Sequence, residues 1–128
     1  MSTDPLLPRS PLPPLSSLAR AGCLLVATGM VLGAFGTHTM RGRLPSDKLH
    51  AWETAASYSI YNGLGLMLVA LNPRLAAHRF AGPAILTGTL VFSGSIIALI
   101  LSPETRILGP ITPIGGMIMI AGYISLAF

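Results

Sequence analysis

Charged positions in this chain fall in clusters, and the stretches between them are long and apolar. Twenty uncharged residues run from Ala21 to Met40, twenty from Thr54 to Pro73, twenty-four from Phe80 to Pro103 and twenty-two from Ile107 to Phe128. None of these runs carries a charge every third or fourth residue, as a helix with one wet face does. A bilayer core about 30 Å thick is crossed by about 20 helical residues at 1.5 Å each. Lipid offers no partner to free backbone groups, so the runs are predicted to be helices rather than strands. The pattern predicts an all-α integral membrane protein, a four-transmembrane-helix bundle with helices over about 18–40, 50–72, 79–102 and 107–128. The links "RGRLPSDKLH" (41–50), "NPRLAAHR" (72–79) and "SPETR" (102–106) are short. Short links make successive helices antiparallel neighbours, in an up-down-up-down order.

Residues 1–17 hold five of the eleven prolines and four serines. Proline fixes φ and removes backbone donors, so a disordered Pro/Ser-rich tail is expected ahead of the helical domain at 18–128. Ala34-Phe35-Gly36 resembles a signal cleavage site, but the run before it exceeds the 7–15 residues of a signal core. It is read as a span. The tail is a weak match to an organelle transit peptide.

Composition sharpens this picture. Apolar residues make up 52% of the chain and charged residues 9%, against about 25% charged in soluble domains. The net charge of +4 is dispersed, without the clustered basic face of a nucleic-acid binder. The expected partner is the lipid bilayer, joined by a larger membrane protein complex or by self-association. Mitochondrial, plasma and bacterial inner membranes would all accept such a multi-pass chain. Orientation is not legible: Arg9, Arg20, Arg74 and Arg79 on one side balance Arg41, Arg43, Lys48 and Arg106 on the other. Cys23 lies inside an apolar run and is expected to be a small buried hydrophobe.

Helices in lipid associate where small residues let backbones approach. The first run offers Gly22, Gly29, Gly33 and Gly36, with Gly29 and Gly33 in G-x-x-x-G spacing and Gly22, Gly29 and Gly36 repeating every seven residues. The third offers Ser93, Gly94 and Ser95, and the fourth Gly115, Gly116 and Gly122. These are predicted packing positions, either within a tight bundle or at a dimer seam. The fourth run opens with "GPITPIGG" (109–116). Proline suits a first helical turn, so Pro110, Thr112 and Pro113 mark a helix start or bend. Thr112 is the expected N-cap if the helix begins at Pro113. A helix from there has sixteen residues, about 24 Å, which is short of the bilayer core. The run must therefore begin earlier and bend, or enter as shielded extended chain. A broken helix that binds an ion or solute is the sharper reading.

Candidate chemistry gathers on the second run. Glu53, Thr54, Ser57, Tyr58, Tyr61, Asn62 and Gly65 fall within half of its circumference, interrupted by Leu64 and Leu68. Hydrogen bonds to neighbouring helices are the plain reading of that arc, and a lined pathway or small-ligand pocket is the sharper one. Ionisable residues inside membranes are costly and often functional, which singles out Glu53, although it stands at the start of its run near the boundary. His38 and His50 should reach the same boundary, and Arg41, Arg43 or Lys48 could pair Glu53. His50 and Glu53 share a helix face, but one such pair is far from a metal ligand set. Enzyme signatures such as G-x-S-x-G, a Walker loop, C-x-x-C and H-E-x-x-H are missing. No enzyme activity, catalytic residue, metal or cofactor is expected.

Four strings taken together, "GAFGTH" (33–38), "WETA" (52–55), "FSGS" (92–95) and "LGPITPIGG" (108–116), resemble the domain-of-unknown-function 423 family, which includes the small transmembrane protein 256 of animals. The match spans about Gly22 to Phe128. The resemblance implies a small four-helix membrane protein and carries no activity with it. The family usually reads Gly-Ala-His where Gly36-Thr37-His38 stands here. It often has Tyr-Gln and then His where Tyr58, Ser59 and Asn62 stand. Two functions are therefore carried forward: an accessory or assembly component of a membrane complex, and a small dimeric proton-linked transporter or channel using the polar face of the second helix.

Overall fold

A computed structural model describes residues 14–128. The expected disordered tail lies for the most part in residues 1–13, outside the described residues, and its last residue, Ser17, already opens a helix. Every regular element described is helical: α1 (Ser17–Phe35), α2 (Ser46–Leu71), the short α3 (Pro73–Ala76), α4 (Ala81–Leu101) and α5 (Ile111–Leu126). A π-helical turn, Gly36–Met40, prolongs α1, and a 3-10 stretch, Pro103–Leu108, precedes α5. Three helices are long and apolar enough to cross a membrane: α1 with its π-turn, α2 and α4.

Local chemistry sets the ends. The Ser16 hydroxyl accepts from the Ala19 amide at 3.1 Å, satisfying an orphan donor at the start of α1. Gly42, at φ +91°, turns the chain between the π-turn and α2. Asp47 sits in the first turn of α2, where a carboxylate suits the positive end of the helix dipole. Asn72 closes α2, and its Oδ1 accepts from the Arg74 amide at 2.9 Å to open α3 within the predicted 72–79 link. His78 Nδ1 accepts from the Ala81 amide at 3.3 Å at the start of α4.

Small residues bring these helices together. A Cβ on Gly22 would lie 2.6 Å from the Gly63 carbonyl oxygen, and one on Gly29 would lie 2.7 Å from that of Ala56. Residue numbers thus rise along α1 as they fall along α2. The same opposed register joins α4 to α5, where Gly88 meets Gly115 and Met119, and Gly122 meets Ile85 and Ala81. Contacts between α2 and α4 join the two pairs, around a core of Leu25, Leu66, Val69 and Ile85. Five of the eleven buried hydrophobics described are alanine, while twenty large hydrophobics are exposed. Small residues inside and large apolar ones outside suit a lipid solvent, where helices gain from close backbone approach rather than from hiding oil.

Cys23 is exposed, contrary to expectation. The face of α1 that meets α2 is set by Gly22, Leu25 and Gly29, all buried, and Cys23 lies about 100° round from Gly22. The start of the fourth run also differs. The N-cap of α5 is Pro110 rather than Thr112, and Pro113 sits inside the first turn, where its missing N–H has no intrahelical partner anyway. The Thr112 hydroxyl instead shares a hydrogen bond with that of Ser95 on α4. That contact places the start of α5 about six residues short of the end of α4. The 3-10 stretch covers the gap by folding back, with Thr105 Oγ1 donating to the Ser102 carbonyl at 2.7 Å and reaching that of Ala98 at 3.4 Å. The run thus begins ahead of Pro110 in 3-10 and αR turns rather than as extended chain, and α5 itself starts at Ile111.

Candidate functional site: the seam of α2 with α1, α4 and α5

The face that α2 buries is Trp52, Ala55, Ala56, Ser59, Asn62, Gly63, Leu66 and Val69, a repeat of three and four residues. It lies roughly opposite the polar arc marked by sequence, and Asn62 is the residue common to both. Tyr61 and Tyr58 are exposed, at 60% and 42%. Tyr58 stacks edge-on against Phe92, with ring centroids 5.3 Å apart, and against Tyr61 at 5.8 Å. Glu53 and Ser57 are half-buried and line, with Thr37, an outer groove of about 450 Å³ between α1 and α2. His38 and His50 are exposed. Among the described residues no three His, Cys, Asp or Glu side chains come together as a metal site. The arc thus divides between two surfaces, because small size rather than polarity decides which face packs.

Inside the seam, polar groups are spent on joining helices. Ser59 Oγ donates to the Leu25 carbonyl at 2.7 Å, linking α2 to α1. Ser93 Oγ donates to the Ala55 carbonyl at 2.8 Å, linking α4 to α2. Asn62 is 4% exposed. Its Nδ2 donates to Met119 Sδ at 2.8 Å, and its Oδ1 accepts from the Tyr123 hydroxyl at 2.7 Å. Thr89 donates to the Ile85 carbonyl at 2.6 Å. No buried side-chain nitrogen or oxygen among the described residues is left without a partner, as a low-dielectric interior requires.

The predicted packing residues separate in the same way. Gly29 and Gly36 face α2, Gly115 approaches the Phe92 amide, and Gly116 lies beside the Phe92 ring. Ser93 is buried. Gly33 and Gly94 have open space where a side chain would stand. Sequence reasoning passed over Gly63, Gly88, Met119 and Tyr123, and named Ser59 without giving it a packing role. A signal for Tyr123 was present: Gly116, Met119 and Tyr123 follow the i, i+3, i+7 row of one helix face.

Residues 32–116 match the family described as "Protein of unknown function (DUF423)". A UPF0382 membrane protein of Schizosaccharomyces pombe is 41% identical over 97 residues, covering 72% of this chain and 82% of the relative. One from Staphylococcus haemolyticus is 39% identical over 106 residues, covering 81% and 84%. The UPF0382 membrane protein YwdK of Bacillus subtilis is 39% identical over 104 residues, covering 78% and 82%. No solved structure matches. Together with three helices able to span a bilayer, these likenesses make the chain a helical membrane protein that belongs to the DUF423 family.

Proposed function

We propose that the chain crosses the bilayer four times, as an antiparallel up-down-up-down bundle, and serves as a non-catalytic accessory or assembly component of a larger membrane complex. The opposed registers of α1 with α2 and of α4 with α5 support the four crossings, the fourth made by α5 together with the 3-10 stretch. The observation that carries the accessory role is the pair Gly33 and Gly94, which look onto open space. In lipid a small residue favours association when another backbone approaches it, and in this chain none does at either position. These two faces suit helices of other subunits. Interior hydroxyls bonded to backbone carbonyls favour a scaffold over a conduit. The test is native purification in mild detergent. The expected result is co-purification with a larger assembly at fixed stoichiometry, from which Gly33→Leu and Gly94→Leu release a folded monomer. A chain that travels alone in both forms overturns the proposal.

A small dimeric proton-linked transporter is the second reading. It is favoured by Glu53 lining the α1–α2 groove with Thr37 and Ser57. Proton flux into liposomes that Glu53→Gln and Asn62→Leu abolish would establish it. Absence of flux in the unaltered protein would end it.

A further inference from the structure

A cavity of about 230 Å³ lies between α2, α4 and α5. Its walls are the rings of Tyr58, Phe92 and Tyr123, Gly116 leaves it room, and Asn62 and Met119 close its inner end. The rim residues Tyr58 and Ile120 are exposed, at 42% and 59%, so the cavity opens on the outer face of the protein. Tyr123 reaches Asn62 because Gly65 has no side chain to fill the place its hydroxyl takes.

The polar end has donor capacity to give. The Asn62 amide donates to a thioether, Met119 Sδ, and a thioether is a weak acceptor. The Tyr123 hydroxyl gives its proton to Asn62 Oδ1 and so fixes which way the amide faces. Burying that amide N–H without a strong acceptor is costly in oil. A ligand carbonyl would serve it better than sulfur does. Drug-sized ligands occupy about 300–1,000 Å³, so this smaller space takes one substituted ring and not a fused four-ring sterol. Aromatic walls favour a flat ring, through offset or edge-on stacking.

We propose that the cavity between α2, α4 and α5 binds the ring of a lipophilic quinone, its carbonyl oxygen held by the Asn62 amide. This binding site stands apart from the accessory role and involves no redox step. The test uses full-length protein in detergent with two probes of the same shape: tetramethyl-1,4-benzoquinone, and tetramethylbenzene, which lacks the oxygens. Binding is read by ligand-observed NMR. The quinone is expected to bind more tightly than the hydrocarbon by about tenfold, the worth of one hydrogen bond. Asn62→Leu combined with Tyr123→Phe, which leaves no donor behind, should erase that difference while leaving hydrocarbon binding in place. Gly116→Leu, which puts a side chain into the cavity, should remove binding of both. Equal binding of the two probes by the unaltered protein overturns the proposal, whatever the variants do. So does quinone binding that a folded Gly116→Leu protein keeps in full.

Discussion

Gly29 and Gly33 lie about one turn apart on α1 and meet different surroundings. A Cβ on Gly29 would come within 2.6 Å of Ile60 Cγ1, 2.7 Å of the Ala56 carbonyl oxygen and 3.0 Å of the Ile60 amide nitrogen, while one on Gly33 would meet nothing within 4 Å. Backbone atoms cannot step aside as the end of a flexible side chain can. Gly29→Ala is therefore expected to separate α1 from α2 and to lower stability by about 1–3 kcal/mol, in the manner of an overpacked core. Gly33→Ala should be neutral or stabilising by up to about 1 kcal/mol, since a mid-helix glycine costs that much in entropy. Reversible unfolding of the two variants in mixed detergent checks both. A Gly29→Ala protein as stable as the unaltered one would contradict the α1–α2 register. The G-x-x-x-G spacing marks these glycines as alike, and only the partner helix tells them apart.

At the scale of the element, the junction of α1 with α2 rests on an indole. Trp52 is 2% exposed, and its Nε1 donates to the Leu32 carbonyl at 2.8 Å. The ring lies against Gly36, where a Cβ would approach Trp52 Cδ1 to 2.7 Å. Gly36 also opens the π-turn, which re-aims the end of α1 toward the 41–45 link. Trp52→Phe keeps an aromatic body and loses the hydrogen bond and part of the packing. The expected cost is about 1–3 kcal/mol, read by the same unfolding assay. Since Trp52 is the chain's single tryptophan, its emission reports the junction directly. Gly36→Val should displace the ring and move the emission to longer wavelength. The existence of α1, α2 and α4 was legible, because lipid demands a minimum length of uncharged chain and the charged links bound it. The buried face of α2 was not read correctly. Polarity pointed to Glu53, Ser57 and Tyr61, whereas the packed row runs through Ala55, Ala56, Ser59 and Gly63. In lipid, size rather than polarity selects the contact. Nothing local to "WETA" records that the Trp52 indole finds its acceptor twenty residues away.

At the scale of the whole molecule, the proposed fourth crossing must be completed from a helix of sixteen residues. α5 is about 24 Å long against a hydrocarbon core of about 30 Å, and it pairs with α4 from Thr112 opposite Ser95 onward. The missing depth falls to Pro103–Leu108, whose Ile107 is 81% exposed. Non-helical backbone lies at depth only where protein or water satisfies it, and Thr105 does part of that work through the Ser102 carbonyl. Under the proposed four crossings, the 3-10 stretch reaches one edge of the bilayer, and Ser16 and Phe128 both lie at the other. In a Cys23→Ser background, single cysteines at Ser16 and Phe128 should then react with an impermeant maleimide from one side of sealed vesicles. A cysteine at Ile107 should react from the opposite side. Labelling of Ser16 and Phe128 from opposite sides would mean an odd number of crossings. A cysteine at Ile107 that no reagent reaches until detergent is added would mean that the 3-10 stretch is buried in the bilayer rather than resting at its edge.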